Sequence, residues 1–189
     1  MRQMLKGTSF RLLMDFVREV IGEGALDELL ETLSPEAKKT FTGEIEPGAW
    51  YPLDHFDELE KAIVDRFFGG DITYARKIAR FTMERAYADI YRLAFILMKT
   101  PKDAIRAIEQ LWSLYNTPGI IKIEIGEGWA RGRLSEIYSI TDIHKEHLCG
   151  WGERLLEKVG AKNPHLSWEQ DGDDVIFHFS WEEDAAQNR

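Results

Sequence analysis

Ile120-Ile121-Lys122-Ile123-Glu124-Ile125-Gly126-Glu127-Gly128-Trp129 opens the last third of the chain, Ile120 to Trp181, whose pattern decides the fold. Ile121, Ile123 and Ile125 alternate with Lys122, Glu124 and Gly126, the period of a half-buried strand. Gly126-Glu127-Gly128 turns the chain into a return strand, Trp129 to Ile137. A helix is predicted from Asp142 to Val159, and Ser167 to Trp181 reads as two strands folded about Asp171-Gly172-Asp173. The implied fold is α+β: a helical bundle packed on a C-terminal, twisted antiparallel sheet of about four strands, with a long helix between the strand pairs. A single domain over residues 1–181 is expected, helical over residues 1–118 and sheet-forming over residues 119–181, with a mobile acidic tail at 182–189.

Upstream, the apolar residues fall at helical spacing. Phe10, Leu13, Met14, Val17 and Ile21 form one stripe behind a cap at Thr8 or Ser9, and Gly22 and Gly24 end that helix. Leu26, Leu29, Leu30 and Leu33 form the next stripe, and Ser34-Pro35-Glu36 starts a third helix. Phe41 to Pro52 reads as an irregular connection. Asp54 is expected to cap the following helix, which buries Phe56, Leu59, Ile63, Phe67 and Phe68. The longest predicted helix runs from Ile72 to Met98. Its second half, Ala86 to Met98, is apolar nearly all round, which places it between the sheet and the other helices. Thr100-Pro101 begins a last helix, through Tyr115.

Composition narrows the function classes. The 189 residues are 44% hydrophobic and 12% aromatic, a globular composition able to bury a substantial core. Lys plus Arg is 24 against 33 for Asp plus Glu, a formal charge of -9, which argues against nucleic-acid and anionic-membrane surfaces. Cys149 is alone, so neither a disulfide framework nor a cysteine-based zinc site forms within one chain. No signal peptide and no membrane span is read, and a reducing cytoplasm is the expected setting.

Met4-Leu5-Lys6-Gly7-Thr8 leading into Phe10 to Glu19, then Trp50-Tyr51-Pro52-Leu53, then His147 to Ala161, then Gly172-Asp173 and Phe177-His178-Phe179-Ser180-Trp181 resemble an uncharacterised bacterial domain family, best populated in myxobacteria. That family is similar to a wider superfamily of ligand-binding domains: haem nitric-oxide sensors, vinyl-reductase-type domains and Golgi-tethering subunits. The resemblance implies a ligand-binding-type domain, often dimeric, with its ligand between helices and sheet; a shared fold does not itself fix function. Haem sensors of this superfamily carry a proximal histidine on the central helix and a Tyr-x-Ser-x-Arg string. Ile72 to Tyr115 holds no histidine, and the string is missing. Zinc-bearing relatives place cysteines around the closing hairpin, and Ser167 to Trp181 has none. The expectation is therefore no cofactor, with haem and zinc both disfavoured.

Candidate ligand-binding residues follow from the aromatic stripes. Trp50, Tyr87, Tyr91, Phe95, Trp112 and Tyr115 would line a pocket between helices and sheet, although aromatics at this spacing usually fill a core. Arg85 and Arg92 share a stripe with Phe81 and would receive a carboxylate or phosphate, against which stands ordinary helix-surface pairing with Asp89. His144 and His147 lie on one helical face, yet structural metal sites need three or four ligands, so they read as two surface histidines near a helix start. Cys149 beside Gly150 and Gly152 reads as a small-residue patch for close approach of helix to strand. No serine sits in a Gly-x-Ser-x-Gly context, and no phosphate-binding or dinucleotide loop occurs. The chain reads as a non-catalytic sensory or carrier domain for a small apolar ligand. The alternative is a dimeric adaptor with a filled core that docks on a signalling protein through Trp129, Trp151 and Trp168.

Overall fold

The computed structural model describes residues 2–89 and 98–182, with 88 and 89 as backbone only. The all-round apolar segment expected over Ala86–Met98 therefore lies largely outside the described residues, and so do Tyr91, Arg92 and Phe95.

Strand β1 (Met4–Lys6) runs straight into α1 (Gly7–Phe16), which a π-helical turn, Val17–Ile21, extends. The helix begins at Gly7 with no side-chain cap, ahead of the expected Thr8 or Ser9. Glycine is required there because a Cβ would stand 2.1 Å from the Glu46 carbonyl oxygen. Helices α2 (Glu23–Leu30) and α3 (Pro35–Thr42) follow, the latter capped by Ser34, whose hydroxyl accepts from the Ala37 N–H. Next come β2 (Trp50–Pro52), α4 (Leu53–Phe67), a short 3-10 turn and α5 (Ala75–Asp89). Helix α6 (Pro101–Tyr115) opens with a reciprocal capping box between Thr100 and Asp103. The C-terminal region consists of β3 (Asn116–Thr117), β4 (Ile120–Ile125), β5 (Trp129–Ser135), α7 (Asp142–Lys158), β6 (Lys162–Asp171) and β7 (Asp174–Glu182).

The larger sheet has the order β4-β5-β7-β6 and is antiparallel throughout. Its alternation turns Ile121, Ala130, Leu134, Val175, Phe177, Phe179 and Trp181 inward, while Lys122, Glu124, His178 and Ser180 face out. One outer strand has an edge amide capped by a side chain, and the other is irregular. On β4 the Ile123 N–H donates to the Glu109 carboxylate of α6 at 2.9 Å, and on β6 the register breaks between Lys162 and His165, around Pro164.

Helix α7 packs on β6 and α5, α6 on β4, and α1 on α5. The helical core centres on Phe10, whose ring meets Phe41 and Tyr51 at 5.4 Å and Phe56 at 5.6 Å. A second sheet, β2-β1-β3, was not expected: its strands are three residues or fewer, too short to show a period in the sequence. No helix among the described residues is long and apolar enough to cross a membrane.

Candidate functional site

Helix α7 sets the site. Its N-cap, Thr141, accepts the His144 N–H at 3.2 Å and donates its own hydroxyl to Asp57 Oδ2 of α4 at 2.6 Å. Residues 144, 147, 148, 151 and 152 then share one helical face, which looks into a cavity between helices and sheet. His144 and His147, expected at the surface, are buried, with His144 only 2% exposed. The surface reading fails because α4 supplies carboxylates at the matching spacing. Asp57 Oδ1 lies 3.0 Å from His144 Nδ1, and Glu60 Oε1 lies 2.5 Å from His147 Nδ1. The two imidazoles are parallel within 3°, their centroids 5.9 Å apart, and Phe56 stands edge-on to both, 5.8 Å from His144 and 5.3 Å from His147.

Burial pushes the Glu60 carboxyl above its usual range, and the His147 imidazole opposes that shift. Burial disfavours charge on His144, but Asp57 and Glu60 outweigh it and hold its pKa above the usual value. The His144–Asp57 approach is close but not aligned as a hydrogen bond. Both ring nitrogens of His144 are left without an aligned partner, and so are Nε1 of Trp112 and Oδ1 of Asn116. All three residues line the cavity.

The remaining walls are largely apolar. Helix α1 contributes Thr8, Ser9 and Leu12, α5 contributes Thr82 and Ala86, and α6 contributes Ile108, Leu111, Trp112 and Tyr115. The sheet closes the far side with Ile121, Leu166, Phe177 and Phe179. The cavity measures about 130 Å³.

Of the residues singled out from the sequence, Trp112 and Tyr115 line this cavity. Trp50 lies on β2, 38% exposed, with Lys6 Nζ 3.9 Å above its ring. Phe81 packs edge-on against Phe16 at 5.4 Å, and Lys158 Nζ lies 4.9 Å from the Tyr87 ring. Arg85 pairs with Glu19 at the surface. The histidine pair and its carboxylates were missed, although a signal existed. Asp57 and Glu60 lie among the buried stripe residues Phe56, Leu59 and Ile63, three apart like the two histidines.

Cys149 is buried, and burial pushes its thiol up to about 12. Native protein is therefore expected to react with a disulfide reagent at pH 8 at least ~100-fold more slowly than urea-unfolded protein, read as released thiolate absorbance. Comparable rates would refute the burial. Its neighbour Gly150 serves a helix–helix contact, not the expected helix–strand one: a Cβ there would stand 2.4 Å from the Arg76 Cα. Gly152 does face the sheet, against Leu166. Among the described residues no group of three or more His, Cys, Asp or Glu side chains could hold a metal ion.

No family model matches the chain, and no curated protein does. Solved structures do, and they are H-NOX domains. The Fe(II) unliganded H-NOX protein from K. algicida superposes with TM-score 0.74 at 14% identity, over 96% of this chain and 98% of that one. The S. oneidensis H-NOX protein in the Fe(II)NO state gives 0.72 at 14% identity, over 95% and 100%. A third structure, from work on modulating heme redox potential through porphyrin distortion, gives 0.67 at 11% identity, over 95% and 100%. The distant likeness to haem nitric-oxide sensors thus holds at the level of fold. These neighbours overturn the expectation of no cofactor with haem disfavoured: the fold is one whose solved members are described by the ligation state of their iron and by their heme.

Proposed function

We propose that this chain is a non-catalytic sensory domain that holds its ligand in the cavity beneath α7, with haem as the cofactor class and a small apolar molecule, such as a diatomic gas, as the signal. The observation that carries this reading is the buried imidazole of His144, its Nε2 unpartnered, on the wall of an apolar cavity. An unsatisfied buried polar atom costs about 1–3 kcal/mol, which a bound partner relieves.

The donor chemistry fits a haem iron. Each imidazole has a carboxylate behind it, the arrangement that orients metal-ligating histidines. The largely apolar, aromatic walls suit a planar macrocycle. The cavity is close in size to an engineered cavity of about 150 Å³ that binds benzene, so a single ring would enter with nothing displaced. A porphyrin is larger than this space, so its entry would part the cavity walls. When bound, the iron supplies an open coordination position for a diatomic gas. The chain's own role is to exclude water and to hold the donors in place.

Titration of the purified chain with hemin, followed by dithionite reduction and carbon monoxide, tests the reading by absorbance. The expected result is an equimolar complex with a sharpened Soret band that shifts on adding the gas. A titration that yields only the broad spectrum of free hemin, with an unchanged unfolding midpoint, overturns it.

A further inference from the structure

The geometry points to His147 as the axial ligand that this chain offers to a haem iron, with Glu60 as the residue that orients it. This assignment rests on the haem reading above and adds which side of the fold supplies the donor: α7, beside the sheet, in place of the central helices.

Three observations converge on His147. It sits within the cavity-facing stripe of α7, flanked by His144 on one side and by Leu148, Trp151 and Gly152 on the other. Its Nδ1 lies 2.5 Å from Oε1 of a fully buried carboxylate, so Glu60 occupies Nδ1 and leaves Nε2 as the ring nitrogen open to a ligand. No hydrogen bond among the described residues engages that Nε2. The ring plane is fixed from the side by Phe56, edge-on at 84°. His144 differs: its Nδ1 is near Asp57 but not aligned with it, so no hydrogen bond fixes which of its nitrogens faces the cavity. That makes it a polar neighbour of a bound molecule and not the iron donor. No cysteine or methionine lines the cavity, so imidazole is the strongest iron donor that its described walls present.

The test compares hemin binding by wild type, His147→Gln and His144→Gln, reading Soret position, the low-frequency resonance Raman iron–histidine band and the dissociation constant. Glutamine at 147 can still donate to Glu60, so the core pair is kept, and circular dichroism verifies the fold. His147→Gln is expected to weaken hemin binding at least ~10-fold and to abolish the iron–histidine band, with free imidazole restoring the wild-type spectrum. His144→Gln is expected to keep the band. Should His147→Gln not fold, Glu60→Gln supplies the second reading: a weaker acceptor makes His147 a poorer donor, lowering the band frequency and raising the haem reduction potential. An unaltered band in His147→Gln or in Glu60→Gln, or loss of the band in His144→Gln, overturns the assignment while leaving haem binding intact. Failure of wild type to form the equimolar complex removes both.

Discussion

His147→Leu is expected to lower the free energy of unfolding by about 3–5 kcal/mol at neutral pH, because it strands the Glu60 carboxylate in the core. Glu60 is fully buried, and Oε1 is bound by His147 while Oε2 already lacks a partner. The double variant His147→Leu/Glu60→Leu should recover most of the loss, since two apolar side chains replace the pair without leaving a charge behind. The pH dependence has a definite sign. A carboxyl whose pKa is raised in the folded state contributes stability at low pH and loses it as pH rises through that raised value. Burial raises Glu60, and removing the imidazole removes the interaction that opposes the shift. The deficit of His147→Leu should therefore be smallest near pH 4, where Glu60 carries its proton, and should grow toward pH 8. Urea unfolding curves at several pH values measure this. A deficit independent of pH, or a double variant no more stable than the single one, would contradict a buried carboxylate held by His147.

Gly150→Ala is expected to destabilise by about 3 kcal/mol, the upper end of the range for overpacking a close contact. The added Cβ would meet the Arg76 Cα and carbonyl oxygen at 2.4 Å, and backbone cannot swing aside as a side-chain tip can. Parting α5 from α7 would also disturb Arg76. Its Nε donates to Glu146 at 2.5 Å, and its Nη1 donates to Glu153 at 2.7 Å and to the Leu166 carbonyl at 2.9 Å. Gly24, which lies in α2 with open space around its Cα, provides the contrast: alanine there should be neutral or slightly stabilising. Denaturant midpoints for the two variants decide the matter, and equal midpoints would show that the α5–α7 crossing is looser than its geometry implies.

The larger sheet, the position of α7 and most helix spans were legible because each rests on a local period. Ile121, Ile123 and Ile125 alternate, and the Phe56–Leu59–Ile63 stripe repeats at helical spacing. Of the candidate cavity, the aromatic stripes pointed to Trp112 and Tyr115 among the described residues. His144 and His147 belong to a polar pair of pairs whose members are 87 positions apart in the chain for both partners, 57 with 144 and 60 with 147. Periodicity on α7 alone identifies their common face but not what faces it, and a histidine opposite water and one opposite a buried carboxylate look alike in one dimension. The small β2-β1-β3 sheet escaped for a related reason: it joins segments from three distant regions of the chain, each too brief to carry an alternating pattern.

The outer strands of the larger sheet carry a further consequence. An open margin of backbone invites a foreign strand to dock and polymerise. Glu109 occupies the amide of Ile123 on one margin, and on the other Pro164 lacks an amide hydrogen beside an irregular register. Ribbon-wise stacking of copies is thus discouraged at both borders.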